Sequence, residues 1–201
     1  MKYYKKLVGS KCYLSPINPE DADVFTEWLN DIEVTKYLTI IRRPWSQLKE
    51  KEVLEEMARS EHAYTIIDLE INKIIGIVSL HNFDHINKTC EFGLFIGDKD
   101  YWNLGYGEEA SRLLLDFAFN ILNINNVMLL VIDYNIRAKK CYQKIGFKEI
   151  GRRRQAYQIA NNLFDIVYMD LLSEEFESSY LQPQFSEEYE STKKPKKIEL
   201  V

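Results

Sequence analysis

Glu91-Phe-Gly-Leu-Phe-Ile-Gly-Asp-Lys-Asp-Tyr-Trp-Asn-Leu-Gly-Tyr-Gly-Glu-Glu-Ala110 is the stretch around which the rest of the chain can be organised. Together with Thr89 and Cys90, its first six residues form a β-branched and aromatic run that reads as a strand, Thr89 to Ile96. A polar loop from Gly97 to Leu104 follows, then Gly105 and Gly107, then apolar residues at helical spacing to about Leu122. Two glycines at a helix entrance let backbone N–H groups from Asn103 to Glu108 point outward. With the positive helix end they form a site for pyrophosphate oxygens. A tight turn with no ligand is the plainer alternative for an isolated G-x-G, and it stays open here.

Gly105 to Ala110 also matches G-x-G-x-x-A, and Asp133 lies roughly 20 residues further on, as a dinucleotide fingerprint requires. The context speaks against that reading. Such a fingerprint wants its strand to run directly into the first glycine, whereas here the loop from Gly97 to Leu104 intervenes. It also prefers the first unit of a parallel sheet, and three strands of antiparallel character come before it.

Those strands are Ala63 to Leu69, Ile74 to Leu80 and Thr89 to Ile96, separated by polar turns at Glu70 to Lys73 and Asn82 to Lys88. Before them, a short strand Lys11 to Ser15 leads to a helix that Asn18 caps, with Pro19 at its first position and Ala22, Phe25, Trp28 and Leu29 as its apolar face. Ser46 can cap a second helix to about Ser60, with Leu48, Val53, Leu54 and Met57 inward. After the glycine turn and its helix come a strand Val127 to Ile132, a helix Ile136 to Ile145, and strands near Phe147 to Arg153 and Phe164 to Leu171. The sum is a mixed α/β sheet.

With 201 residues, 46% of them hydrophobic, the chain can bury one good core. We expect one domain over residues 1–175 and a flexible charged extension over 176–201, where Pro183, Pro195, Glu187, Glu188, Glu190 and four lysines leave little apolar material. No run approaches the roughly 20 apolar residues of a membrane helix, and Met1 to Lys6 do not lead into a signal sequence, so a cytoplasmic protein with no membrane partner is expected. Cys12, Cys90 and Cys141 are odd in number and widely spaced, which suits reduced thiols. His62, His81 and His85 are too scattered for a metal site, and no metal is expected, although His81 and His85 are possible pocket residues. A net charge of −5 leaves no basic footprint for nucleic acid.

Two segments carry a family resemblance. Tyr101-Trp-Asn-Leu-Gly-Tyr-Gly107 resembles the acetyl-CoA loop of the GNAT acetyltransferases, (Q/R)-x-x-G-x-(G/A), in a form similar to the Tyr-Trp-Gly-Lys-Gly-Tyr-Gly variant of the ribosomal-protein N-terminal-alanine branch. The pattern from Ile17 to Trp45 resembles the spermidine/spermine acetyltransferases as well as that branch. Trp102 stands where Gln or Arg is usual, Asn103 replaces the variant's first glycine, and Leu104 replaces its lysine, so one positive charge near the phosphates is missing. Asn135-x-x-Ala138-x-x-x-Tyr142-x-x-x-Gly146-Phe147 resembles the family's second signature. The resemblance runs from about Lys11 to Leu172. It implies a GNAT acyl-CoA N-acyltransferase fold with a mostly antiparallel central sheet flanked by helices, and acetyl-CoA as cosubstrate. It also implies cofactor contacts from Leu94, Phe95, Ile96, Trp102, Asn103, Leu104, Gly105, Tyr106, Gly107, Glu108, Asn135 and Lys139.

Acetyl transfer to an amine needs a base, because the amine is mostly protonated at neutral pH, and an acid for the departing thiolate. By resemblance Tyr142 is the acid and Glu91 the base, acting through water. As alternatives, Tyr142 is a core residue packed beside Phe147, Glu91 is ion-paired and Asn135 is a helix cap. A backbone N–H near Phe95 or Ile96 would hold the acetyl oxygen. The acceptor is read as a small amine or polyamine, or else a peptide N-terminus, with Asp31, Glu33 and Asp84 available to attract a cation. A non-catalytic acyl-CoA-binding module is the third reading. The aromatic final strands and Phe176 to Phe185 suggest a homodimer.

Overall fold

Eight short runs of β-branched and aromatic residues pair into one sheet, in the order β1-β2-β3-β4-β5-β6-β8-β7. The computed structural model describes residues 2–59 and 62–181. The strands are β1 (Leu7–Val8), β2 (Cys12–Pro16), β3 (Ala63–Asp68), β4 (Ile74–Asp84), β5 (Thr89–Ile96), β6 (Asn126–Ile132), β7 (Lys148–Ile159) and β8 (Asn162–Leu172). Every pairing is antiparallel except β5 with β6.

That one parallel pairing is short. Thr89, Cys90 and Glu91 lie opposite Asn126, Val127 and Met128, and the two strands then part. Phe92 to Ile96 keep their partners on β4, and Leu129 to Ile132 keep theirs on β8. A fork with unpaired backbone on both inner edges is therefore built into the centre of the sheet.

Five helices cover the two faces. Helices α1 (Ala22–Asn30), α2 (Ile32–Thr35) and α3 (Gln47–Arg59) lie on one face, over a core of Tyr13, Phe25, Leu54, Ile67 and Ile77. Helices α4 (Tyr106–Asn120) and α5 (Ile136–Ile145) cover the other, over Leu14, Ile66, Leu80, Phe92, Leu113, Leu114 and Val167. Strand alternation sends Ile77, Ser79 and His81 of β4, and their partners Phe95, Gly93 and Glu91 of β5, to the α1–α3 face.

Two details tie α4 to the sheet. Its buried Glu109 accepts from the backbone N–H groups of Ser10, Lys11 and Cys12, at 2.8 to 2.9 Å, and from Ser10 Oγ. Burial alone would raise that carboxyl's pKa, but these donors outweigh it and hold it low. Buried Asp116 accepts from Ser178 Oγ and from the backbone N–H groups of Tyr180 and Leu181, while Phe176 packs on Phe119 at 5.2 Å. Residues 176–181, the first part of the extension expected over 176–201, thus dock on α4, and the rest of it, from residue 182, lies outside the described residues.

Several expectations change. A third helix, α2, appears where Asp31 accepts from Glu33 N and starts a new turn just after α1 ends. Asn18 caps a 3-10 turn, Pro19–Asp21, that leads into α1. Leu48 faces solvent, whereas Leu54 is buried as expected and Glu50, which was not expected inward, is buried too. The last hairpin is longer than the apolar pattern suggested, because β7 is an edge strand whose Arg152, Arg153 and Arg154 meet water.

Candidate active site

The fork opens into a cavity of about 610 Å³ between β5, β6, α4 and α5. Of the fourteen catalytic and cofactor residues expected from the sequence, eleven line it, namely Glu91, Leu94, Phe95, Ile96, Trp102, Asn103, Gly105, Gly107, Glu108, Asn135 and Tyr142, and so does His81. Leu104, Tyr106 and Lys139 do not. Leu104 sits at the loop tip, where its carbonyl accepts from Lys11 Nζ at 2.7 Å. Tyr106 turns the other way, giving its hydroxyl to Asp68 Oδ2 at 2.6 Å and packing edge-on against Tyr101. Lys139 lies toward β7, where Glu149 is held low chiefly by Arg152 and more weakly by Lys139.

The glycine loop has the backbone that an anion site needs. Gly105 caps α4 in the left-handed region at φ 87°, preceded by Asn103 at φ 60°. Glycine offers no side-chain acceptor, so the first-turn N–H groups of a 15-residue helix stay open at the cavity wall. A Cβ at Gly107 would lie 3.3 Å from Leu94 Cδ2, which shows how closely this turn approaches β5. Trp102 is fixed by its indole N–H, which donates to the Ile96 carbonyl at 2.9 Å.

Positive charge comes from α5 rather than from the loop. The Arg137 guanidinium lies 3.8 Å from the centre of the Trp102 ring, and Arg137, Lys140 and Lys144 all line the cavity. Burial lowers the Arg137 pKa, but an arginine stays protonated. Arg137 was not singled out from the sequence, although it immediately precedes Ala138 of the second signature. Glu108 is bound by Lys144 at 2.6 Å and Arg112 at 3.2 Å. Burial opposes ionisation of its carboxyl, and these two cations reverse the balance, so its pKa lies low. The open N–H groups, the glycine turn and the cations fit a pyrophosphate-bearing ligand.

Tyr142 and Glu91 reach the cavity from opposite faces of the sheet. Tyr142 is 7% exposed and packs edge-on against Phe92 and Phe147. Burial pushes its phenol up, so it holds its proton at neutral pH. Its hydroxyl has no hydrogen-bond partner among the described residues. Glu91 is the last residue of β5 to pair with β6, and its carboxylate lies 3.6 Å from His81 Nε2. Asn135 caps α5, its side chain accepting from Ala138 N at 3.2 Å, and also faces the cavity. Cys141 lines the cavity too, with burial raising its thiol to about 11.

A second chamber, of about 380 Å³, lies under α1 and α3. It shares Leu38, Thr39, Gly93, Leu94 and Phe95 with the first. The acidic residues that the sequence offered for a cation are occupied: Asp31 and Glu33 both bind Lys99, and Asp84 closes its own turn. Among the described residues no cluster of His, Cys, Asp and Glu is placed to hold a metal, and no helix is long and apolar enough to cross a membrane.

Residues 11–148 match the family pattern described as an acetyltransferase (GNAT) domain. The N-acetyltransferase p20 of Bacillus licheniformis, itself uncharacterized, is 28% identical over 176 residues, covering 85% of this chain and 97% of that protein. The ribosomal N-acetyltransferase candidate YdaF of Bacillus subtilis is 28% identical over 168 residues, covering 80% and 91%. The fold is shared with the spermidine N-acetyltransferase of Vibrio cholerae, solved with CoA and spermine, at a TM-score of 0.73 and 22% identity over 83% of this chain and 98% of that one. The pattern spans more than half of the sequence, and the chain belongs to the GNAT family of acetyl-CoA-dependent N-acetyltransferases.

Proposed function

We propose that the protein acetylates a primary amine of a small molecule, with Glu91 as base and Tyr142 as acid. The observation that carries this reading is that a carboxylate and a protonated phenol open from opposite faces of the sheet onto one cavity, at the fork between β5 and β6.

Acetyl-CoA supplies an acetyl thioester. In this reading the open N–H groups of the turn from Asn103 to Glu108 hold its phosphates beside the Trp102 ring, with Leu104 and Tyr106 contributing backbone only, and Arg137 supplies the charge that the loop lacks. Asn135, with the inner edge of Leu94, Phe95 and Ile96, completes the contacts, and Lys139, which faces β7, is not needed for them. Glu91, directly or through water, removes the ammonium proton and leaves a nucleophilic nitrogen. A free N–H on that edge holds the oxygen that gains charge, Tyr142 gives its proton to the sulfur as the C–S bond breaks, and the second proton lost by the nitrogen returns to Tyr142 through water. Residues 1–175 form the catalytic unit, and the cytoplasm is its expected location.

A small acceptor is favoured over a peptide N-terminus because the acceptor face, beyond Gly93, continues into a mostly apolar pocket of only about 380 Å³ between the sheet and α1 and α3. A panel of polyamines, aminoglycosides and N-terminal peptides, assayed by CoA-thiol release, tests it. Turnover of small amines is expected, and turnover of peptides alone would refute it.

A further inference from the structure

Glu50 lies in the first turn of α3 and is 3% exposed, yet its Oε2 has no hydrogen-bond partner among the described residues. It lines the second chamber, whose other walls are chiefly Phe25, Leu29, Val53, Met57 and Ile77. The indole N–H of Trp45 on the same wall is buried and unpartnered as well. Asn30 fixes that residue's backbone, donating from Nδ2 to the Trp45 carbonyl at 2.7 Å and accepting from Trp45 N at 3.2 Å.

Buried polar groups are nearly always paired, so a carboxylate oxygen left open in a hydrocarbon-walled chamber calls for a donor. The Trp45 N–H is itself a donor, which an ammonium cannot satisfy. Asp31 and Glu33 are bound to Lys99 and Asp84 closes its own turn, whereas Glu50, which the sequence did not single out, has no ion pair among the described residues. The chamber borders the cavity that holds the reacting centre, with Leu38, Thr39, Gly93, Leu94 and Phe95 lining both. Gly93 stands between the chamber and the His81–Glu91 pair, and a Cβ there would lie 3.3 Å from Ser79 Oγ and 3.5 Å from His81 Cε1.

We propose that Glu50 binds the second, non-reacting ammonium of a diamine or polyamine acceptor. The alkyl chain then lies along Phe25, Leu29 and Met57, and the reacting nitrogen reaches past Gly93 to Glu91. The assignment rests on the acetyl-transfer reading above and adds its acceptor class: two amino groups joined by an alkyl chain. Burial pushes the unpaired Glu50 carboxyl up to about 7, which fits a group that awaits a cation.

The test compares α,ω-diaminoalkanes of three to six carbons with n-alkylamines of equal length, at saturating acetyl-CoA, in the wild type and in Glu50→Gln. The wild type is expected to favour its best diamine over the matched monoamine by about tenfold or more in kcat/KM. E50Q should lose that preference through a raised KM for the diamine. An unchanged preference in E50Q overturns the assignment, as does a wild type that shows none. If the wild type turns over no amine, the acetyl-transfer reading fails on its own. Calorimetric titration of 1,4-diaminobutane into the CoA-loaded protein then decides: binding lost in E50Q upholds the Glu50 site, and equal or absent binding overturns it.

Discussion

At pH 8 the Glu50→Gln substitution is expected to make the free protein more stable, and at pH 5 most of that gain should vanish. Glu50 is almost fully buried against hydrocarbon, and its pKa rises from an ordinary 4.5 to about 7. Between those two values the folded protein keeps a proton that the unfolded chain has released. Wild-type stability therefore falls as pH climbs through the window and levels off above about 7. The gap corresponds to roughly 3 kcal/mol at about 1.36 kcal/mol per pH unit. Water entering the chamber screens part of the charge, so about 2 kcal/mol is expected. Glutamine does not titrate, and the other ionisable groups cancel between the two proteins. The advantage of E50Q should grow by about that amount from pH 5 to pH 8, a melting difference of roughly 4–8 °C for a chain of this size. Parallel thermal and urea melts at pH 5, 6, 7 and 8 measure it. A difference between the two proteins that stays flat across this range would refute the buried, unpaired carboxylate.

Three other substitutions probe separate parts of the account. Glu91→Gln should lower kcat/KM for the amine about 100-fold at pH 7, and activity should recover as pH approaches the amine's own pKa, because free amine then needs no base; a loss that is constant with pH would count against Glu91. Arg137→Ala should raise the KM for acetyl-CoA about tenfold with a smaller change in kcat, read by steady-state kinetics at fixed ionic strength. Asp116→Ala removes the acceptor for Ser178, Tyr180 and Leu181. It should cost about 2–3 kcal/mol and speed proteolysis near Phe176, measured by denaturant titration and limited digestion.

The cofactor half of the site was legible because its backbone is written in residue types. A left-handed helix entrance demands glycine at 105, a close approach to Leu94 suits glycine at 107, and a helix cap with a small residue three positions on marks Asn135 and Ala138. The fork was not legible from strand pattern, since Leu94, Phe95 and Ile96 read the same whether or not they have a partner; it came from the family resemblance and appears in the pairing that ends at Glu91. The acceptor half was largely hidden. Asp31, Glu33 and Asp84 stood out as acids, but partners 66 to 68 residues away, or three residues along, determine whether a carboxylate is free. Glu50 looked like one more polar position among Lys49, Lys51 and Glu52, and only the docking of α3 on the sheet turns it inward. Arg137 was overlooked for a related reason: its contact with Trp102 joins two signatures that were read separately.

The most direct test of the central claim is CoA-thiol release with the best acceptor amine, wild type beside Tyr142→Phe. The variant keeps the ring that packs on Phe92 and Phe147 and removes only the hydroxyl. A fall in kcat of about 100-fold or more, with the KM for acetyl-CoA nearly unchanged, is the predicted result. Turnover within a few-fold of wild type would contradict Tyr142 as the acid and return it to the core.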